Sequence, residues 1–371
     1  MQNKQLSFLI GLWLLACAAH AQDRVITTAV PFLRISTDAR ASGMGDVGLA
    51  TTPDANAAFW NMAKLSFAEK RSAIAASYSP WMRDIANDMF LATLNGYYTW
   101  DSMQAIHGGL RYFALGDIQF TDALGNHQQA FHPREWAVDL GYSRKLSDRS
   151  GLGMTIRYIH SSLSNKGMSG NYYSTGHAIS VDLGYYYTAV NNAGNGCSFG
   201  GMLSNLGSKM GYMSAAQKDF IPANLGLGMA YTKMLNEQSH IQFGFDINKL
   251  LVPTPPANAD SMAIVNYRNR TVVNSWLHSL GDAPDGLGEE LKEYQLSAGV
   301  EYWYCKQLAL RAGYAYEDKT KGNRQYFTTG LGIRYNVFTI NFSYLISGAK
   351  DARQNPLSYT FRLGLIMEAK E

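Results

Sequence analysis

Charge is scarce in this chain. Of 371 residues only 16% are Asp, Glu, Lys or Arg, and the net charge is +3. So small a surplus, with no cluster of basic residues, leaves no electrostatic footprint for nucleic acid. Cysteine is scarcer still: Cys17 lies in an apolar leader, which leaves Cys197 and Cys305. Strand patterning puts both near short turns of non-adjacent strands, so free thiols are expected rather than a disulfide. Long apolar runs are missing as well. Beyond the leader no stretch reaches the roughly eighteen residues of a membrane-spanning helix. Yet the chain is 12% aromatic, with 23 Tyr and 35 Gly, and its mean hydropathy is only −0.18. Low charge without apolar runs is consistent when apolar and polar residues alternate along membrane-spanning strands.

The leader, MQNKQLSFLIGLWLLACAAHAQD, has an early cation at Lys4, an apolar run from Leu6 to Ala19, and small residues at Ala19 and Ala21. This is the pattern of a secretory signal peptide over residues 1–21, too short for an ordinary membrane helix. The alternative, a lipoprotein site at Leu14-Leu15-Ala16-Cys17, is a poorer fit because Leu15 is bulky. Either route takes the chain out of the cytoplasm. That bears on Gly43, Gly45 and Gly48, which stand in the G-x-G-x-x-G order of a dinucleotide-binding loop. Such a loop must come after a buried strand and open a helix. STDARAS precedes it here and Pro53 interrupts the segment after it, so neither a nucleotide nor any other cofactor is expected.

Alternation with period two is clearest near the C-terminus. Phe327, Leu331, Ile333 and Tyr335 interleave with Thr328, Gly330, Gly332 and Arg334, and the pattern repeats from Phe338 to Tyr344 and from Tyr359 to Leu365. Working backwards, similar segments cover 310–316, 296–304, 241–247, 225–231, 199–203, 179–187, 152–158 and 136–142. Less regular ones cover 106–113, 89–97 and 73–79. The expectation is an all-β fold: a transmembrane antiparallel β-barrel of about fourteen strands over residues 72–371. All ten prolines fall outside the strand interiors, as the hydrogen-bonded ladder of a closed barrel requires. Link lengths alternate too. WDSMQ, LSDRS, MLNEQ, YCK and YNV are short, VNNAGNG is intermediate, and the longest link, at 250–290, falls on the opposite side. Short periplasmic and long external links place both termini in the periplasm. Residues 22–71 are left over and too polar to span, so they are expected to fill the lumen as a plug, or hatch.

This layout yields candidate sites. Asp139, Arg157, Asp182, Asp246, Glu301, Arg311, Arg334 and Arg362 fall on the luminal face, where mixed signs suit pairing with one another and with Asp38, Arg40 and Asp46 of the plug. In the long link, TVVNSWLHSLGD reads as a short helix with Val273, Trp276, Leu277 and Leu280 on one face. That face either folds over the barrel mouth as a lid or docks a protein partner. Trp81 and Met82, in SPWMRDIAND, are of types enriched at interfaces and could share that surface. Enzyme signals are weak: Gly196-Cys197-Ser198-Phe199-Gly200 fits G-x-S-x-G, but at a turn into a strand and not on a nucleophile elbow. His127 and His132 make too small a set for a metal.

Family resemblance sharpens these expectations. The plug resembles the hatch of FadL-type fourteen-stranded barrels, with Gly43-Met44-Gly45 as the G-M-G element, then Trp60 and Asn61-Met62-Ala63 where that family has N-P-A. Met62 replaces the usual proline. A closer resemblance, over essentially the whole mature chain, is to the PorV family of the type IX secretion system, carried by DARASGMGDVGLATTPDANAAFWN, YFALGDIQFTD, DINKLLVPTPP and KGNRQYFTTGLGIRYNVF. This resemblance implies a non-enzymatic protein of the outer membrane, in contact with its lipid. It would bind the SprA (Sov) translocon, receive cargo through C-terminal signal domains, and pass it to the PorU sortase and attachment complex. The fold alone would also suit a FadL-like transporter of hydrophobic small molecules.

Overall fold

The computed structural model describes residues 25–82, 88–121, 127–163, 175–212, 218–256, 261–347 and 360–369. Fourteen of its strands form the barrel, numbered in chain order. They are β1 (Ser72–Pro80), β2 (Met89–Thr99), β3 (Gln104–Leu115), β4 (Arg134–Lys145), β5 (Ser150–Ser162), β6 (Gly176–Thr188), β7 (Gly196–Gly207), β8 (Asn224–Met234), β9 (His240–Leu250), β10 (Tyr294–Tyr304), β11 (Leu308–Tyr316), β12 (Tyr326–Tyr335), β13 (Phe338–Ser347) and β14 (Phe361–Glu368). Each pairs antiparallel with its neighbours, and β14 closes on β1 with Ala76 opposite Leu365. Closure removes every edge, so each strand can satisfy its backbone inside hydrocarbon.

Alternation in sequence becomes alternation in space. Along β12 and β13, Phe327, Ile333 and Ile340 are exposed on the outer wall while Thr328, Thr339 and Asn341 are buried inside. Pro80 ends β1, where it interrupts no ladder. Strand β7 is longer than the apolar pattern suggests, because its glycines give no period-two signal but continue the pairing opposite β8. Two small hairpins add to the long links: Ile118–Thr121 with His127–Phe131, and Met210–Gly211 with Lys218–Asp219. None of the helices among the described residues is long and apolar enough to cross a membrane.

Residues 29–67 fill the lumen as helical pieces of one or two turns, namely Pro31–Arg34, Ala39–Ser42, Ala57–Trp60 and Met62–Phe67. The segment threads from one end of the barrel to the other. Ala29 N–H donates to the Phe220 carbonyl in a long link at 2.9 Å, while Phe67 packs on Tyr186 near the short turns. Ala369 N–H donates to the Ser72 carbonyl, at the short-turn end. The first and last described residues therefore lie at opposite ends.

Candidate functional site

Plug and wall meet through charges that the strands hold inward. Asp38 caps the Ala39–Ser42 turn, its carboxylate accepting from Arg40 N–H at 3.0 Å. The cap aims the Arg40 side chain at β10, where Nε and Nη2 donate to the two Glu301 oxygens at 3.0 and 2.8 Å. Arg311, on β11 directly opposite Glu301, donates to the same carboxylate at 2.7 Å. Asp46 accepts from Arg362 at 3.1 Å and from the Tyr326 hydroxyl at 2.6 Å. Asp246 takes the backbone N–H groups of Gly48 and Leu49 at 2.7 and 3.0 Å. On the far wall Arg157 joins Asp139 and Asp182 at 2.6 and 2.8 Å.

The structure thus brings seven of the eight expected luminal charges into buried contacts, and leaves Arg334 half-exposed at the short-turn mouth. Asp38 is a correction. Among the described residues it pairs with no luminal charge, and its second oxygen instead accepts from Trp60 Nε1 at 3.0 Å, inside the plug. Two cations buried between plug and wall escape a reading based on alternation. Arg111 bridges Asp139 and the Leu33 carbonyl and lies 4.5 Å over the Phe59 ring, while Lys64 donates to the Gly48 carbonyl at 2.6 Å. Arg111 shares a parity with Ala105 and His107, but glycines at 108 and 109 blur the period there. Lys64 sits in a helical turn, where strand parity has no meaning.

The glycines of GMGDVG serve close approach. Gly45 has φ +73°, and a side chain there would put its Cβ 2.7 Å from Tyr314 N on β11. Met44, at 1% exposure, fits against wall positions that are themselves glycine, Gly299 and Gly313. At the far end of the plug Asn61 bonds the Tyr185 and Leu49 carbonyls at 2.9 and 3.2 Å and caps the Met62–Phe67 turn through Ala63 N–H. With Met62 fully buried and Asn61 bonded three ways, this turn is fixed without the family's proline.

The long link between β9 and β10 carries three helices, Ser261–Asn269, Val272–His278 and Leu287–Lys292. Val273, Leu277 and Leu280 are exposed, Leu277 at 71%, and Trp276 is half-buried. The last helix adds Leu287, at 82%, and Leu291. A lid would bury this face on the barrel mouth; the structure turns it to solvent. Beneath it, Lys249 at the end of β9 meets Glu290 and Glu293 at 2.6 and 2.7 Å, and Lys321 meets Glu289 and Glu293 at 2.7 and 3.0 Å. Burial alone would raise the Glu293 carboxyl, but hydrogen bonds from Lys249, Thr254 and Lys321 bring it below its ordinary range. Asp282, Glu290 and Glu293 lie close enough together to ligate a cation. The two lysines already supply the counter-charge.

Trp81 and Met82 are a second correction. Trp81 is 8% exposed and packs edge-on to Phe113, in a cluster with Phe32 and Leu33 of the plug. Met82 packs against that cluster, so this pair belongs to the core and cannot extend a docking face. The G-x-S-x-G segment lies within β7, without the strand-to-helix turn of an elbow. Cys197 and Cys305 are free, and His132 pairs with Asp117 at 2.5 Å. The side chain of His127 lies outside the described residues.

The ion pairs under the link can be tested by substitution. Lys249→Met removes one cation from between two buried carboxylates, at a cost of about 3–5 kcal/mol to the docked link. Limited proteolysis should then cut within 261–293 while the barrel resists; an unchanged digest would show that the ion pairs do not hold the link.

Residues 18–257 match the sequence pattern of a family described as "Type IX secretion system protein PorV". The chain belongs to the PorV family. No curated protein sequence matches it. Among solved structures it is similar to the P. putida toluene transporter TodX, with a TM-score of 0.52 and 12% identity over 89% of this chain and 98% of that one. A TodX deletion mutant described as a monoaromatic hydrocarbon channel gives 0.50 and 14%, over 88% and 97%. A Pseudomonas aeruginosa FadL homologue gives 0.46 and 11%, over 93% and 99%. At these identities the likeness is one of fold. The PorV-family chain is an outer-membrane component of the type IX secretion system, built as a closed fourteen-stranded β-barrel.

Proposed function

We propose that this PorV-family barrel works by its surface, as a carrier that binds the SprA (Sov) translocon and cargo C-terminal signal domains and delivers cargo to the PorU sortase and attachment complex. The observation that carries this reading is the exposed apolar face of the long link, Val273, Leu277, Leu280, Leu287 and Leu291, held up by buried ion pairs. Apolar patches of this kind on a soluble-facing surface favour protein docking. A lumen filled by residues 29–67 supports it too, since folded cargo has no path through the barrel. In this reading the short turns and the C-terminus face the periplasm, the long link faces outward, and cleavage after Ala21 releases the mature chain.

Transport of hydrophobic small molecules is supported less. The cavity beside Phe59 and Trp60 measures about 120 Å³ and is lined by Arg34, Arg111, Arg157 and Asp182, a charged wall that suits an apolar molecule poorly. Gentle solubilisation distinguishes the two readings. Carriage predicts copurification of a very large barrel and of cargo bearing C-terminal signal domains; bound fatty acid without protein partners would favour transport. Replacing Trp276 and Leu277 together with Asp should leave barrel assembly intact and cut surface display of cargo at least about tenfold, because interface energy concentrates in a few apolar anchors. Normal display in that variant would remove this face from the pathway.

A further inference from the structure

The short-turn end of the barrel holds a second cavity, of about 370 Å³, below the plug. Its wall is organised around Trp303, which is itself 5% exposed. The His240 ring lies 6.5 Å from the indole at an interplanar angle of 28°, the Arg334 guanidinium 4.8 Å over it, and the Arg311 guanidinium 5.7 Å from it. These cations are not equally engaged. Arg40, which also reaches this wall, is neutralised by Glu301 and Asp54. Arg311 spends Nε on Glu301 and Nη1 on Asn341 at 2.9 Å, but its Nη2 is buried with no partner among the described residues. Arg334 has Thr339 at 3.2 Å and Glu368 only at 3.8 Å, and its side chain is 39% exposed.

A buried guanidinium nitrogen without an acceptor is costly to leave unmet, and arginine's planar fork matches a carboxylate. Gly332 makes the arrangement possible, since a Cβ there would lie 2.8 Å from Arg311 Nη1. Beside the cations, Tyr97 and Ile366 provide apolar wall, and Asp54, Glu69 and Glu368 are the acids that line the cavity, Asp54 being paired with Arg40. We propose that this vestibule binds a carboxylate-bearing ligand that enters from the short-turn side, with the carboxylate on Arg334 and Arg311 Nη2 and a planar or aliphatic body against Trp303. The volume lies in the range of small-ligand pockets and excludes a folded domain, so a protein could enter only by a chain end. Two sources share this chemistry: a free small carboxylic acid, and the C-terminal carboxylate of a peptide.

Calorimetric titration of the full chain in detergent tests the proposal, with benzoate, benzamide, a tripeptide ending in a free Phe carboxylate, and the same tripeptide as its C-terminal amide. Both acids should bind, and each amide at least about tenfold more weakly, as expected for loss of a charge-assisted bond. Arg334→Gln should weaken acid binding about tenfold while the barrel still migrates differently on a denaturing gel before and after boiling, as a closed barrel should, and Trp303→Leu should weaken benzoate binding. Tighter binding of the peptide acid than of benzoate identifies a chain end as the ligand; the reverse identifies a small acid. Equal binding of acids and amides, no binding of any probe, or an Arg334→Gln variant with wild-type affinity would overturn it.

Discussion

Replacing Arg40 with Ala should unseat the plug. Arg40 ties the plug to the wall by donating twice to Glu301, and braces the plug itself by donating once to Asp54, with all three groups buried or nearly so. Removing one partner of a buried pair costs about 3–5 kcal/mol, because the charge left behind cannot return to water. Here Arg311 still meets Glu301, which favours the lower part of that range for Glu301 itself. Asp54 and the Thr52 carbonyl also lose their donor, which adds to the total. Planar-bilayer recordings should change from closed to frequent large openings, and protease should reach residues 31–67. A variant as electrically silent and as protease-resistant as the parent would show that other contacts hold the plug.

Gly313→Leu should give a barrel that assembles but cannot close around its plug. A Cβ at this position would lie 2.1 Å from the Met44 carbonyl carbon and 2.2 Å from Gly45 N, both of them backbone atoms. Overpacking usually costs about 1–3 kcal/mol when side chains can yield; two backbones in contact place this site at the top of that range or above it. The variant should keep the mobility shift on boiling and gain plug cleavage. Gly281→Leu is the control, since a Cβ at Gly281 meets nothing within 4 Å. Equal plug protection in the two variants would mean that the plug can shift to accept a side chain at 313.

The barrel was legible because a lipid-facing strand has a rigid rule. Where Phe327, Leu331 and Ile333 take the outer face, Thr328, Gly330 and Gly332 must take the inner one, and no neighbouring element can alter that parity. Charges on those strands inherited the same certainty, so Asp139, Arg157, Glu301 and Arg311 could be placed inside. Residues in the plug and links obey no such period. Trp81 looked like an anchor for a partner and is packed on Phe113; Asp38 looked like a partner for the wall and holds Trp60.

Two-fold alternation in a closed sheet is local chemistry, so the order of amino acids alone was enough to establish the barrel, its strands, its alternating links and a segment before the first strand too polar to span. Folding in three dimensions settled the rest: that the plug runs from the long-link end, that Met44 needs glycine at 299 and 313, and that Lys249 and Lys321 hold the long link up. Those contacts join residues far apart in the chain, such as Arg40 and Glu301, separated by 261 positions. No local pattern encodes which of several inward charges the folded plug will meet.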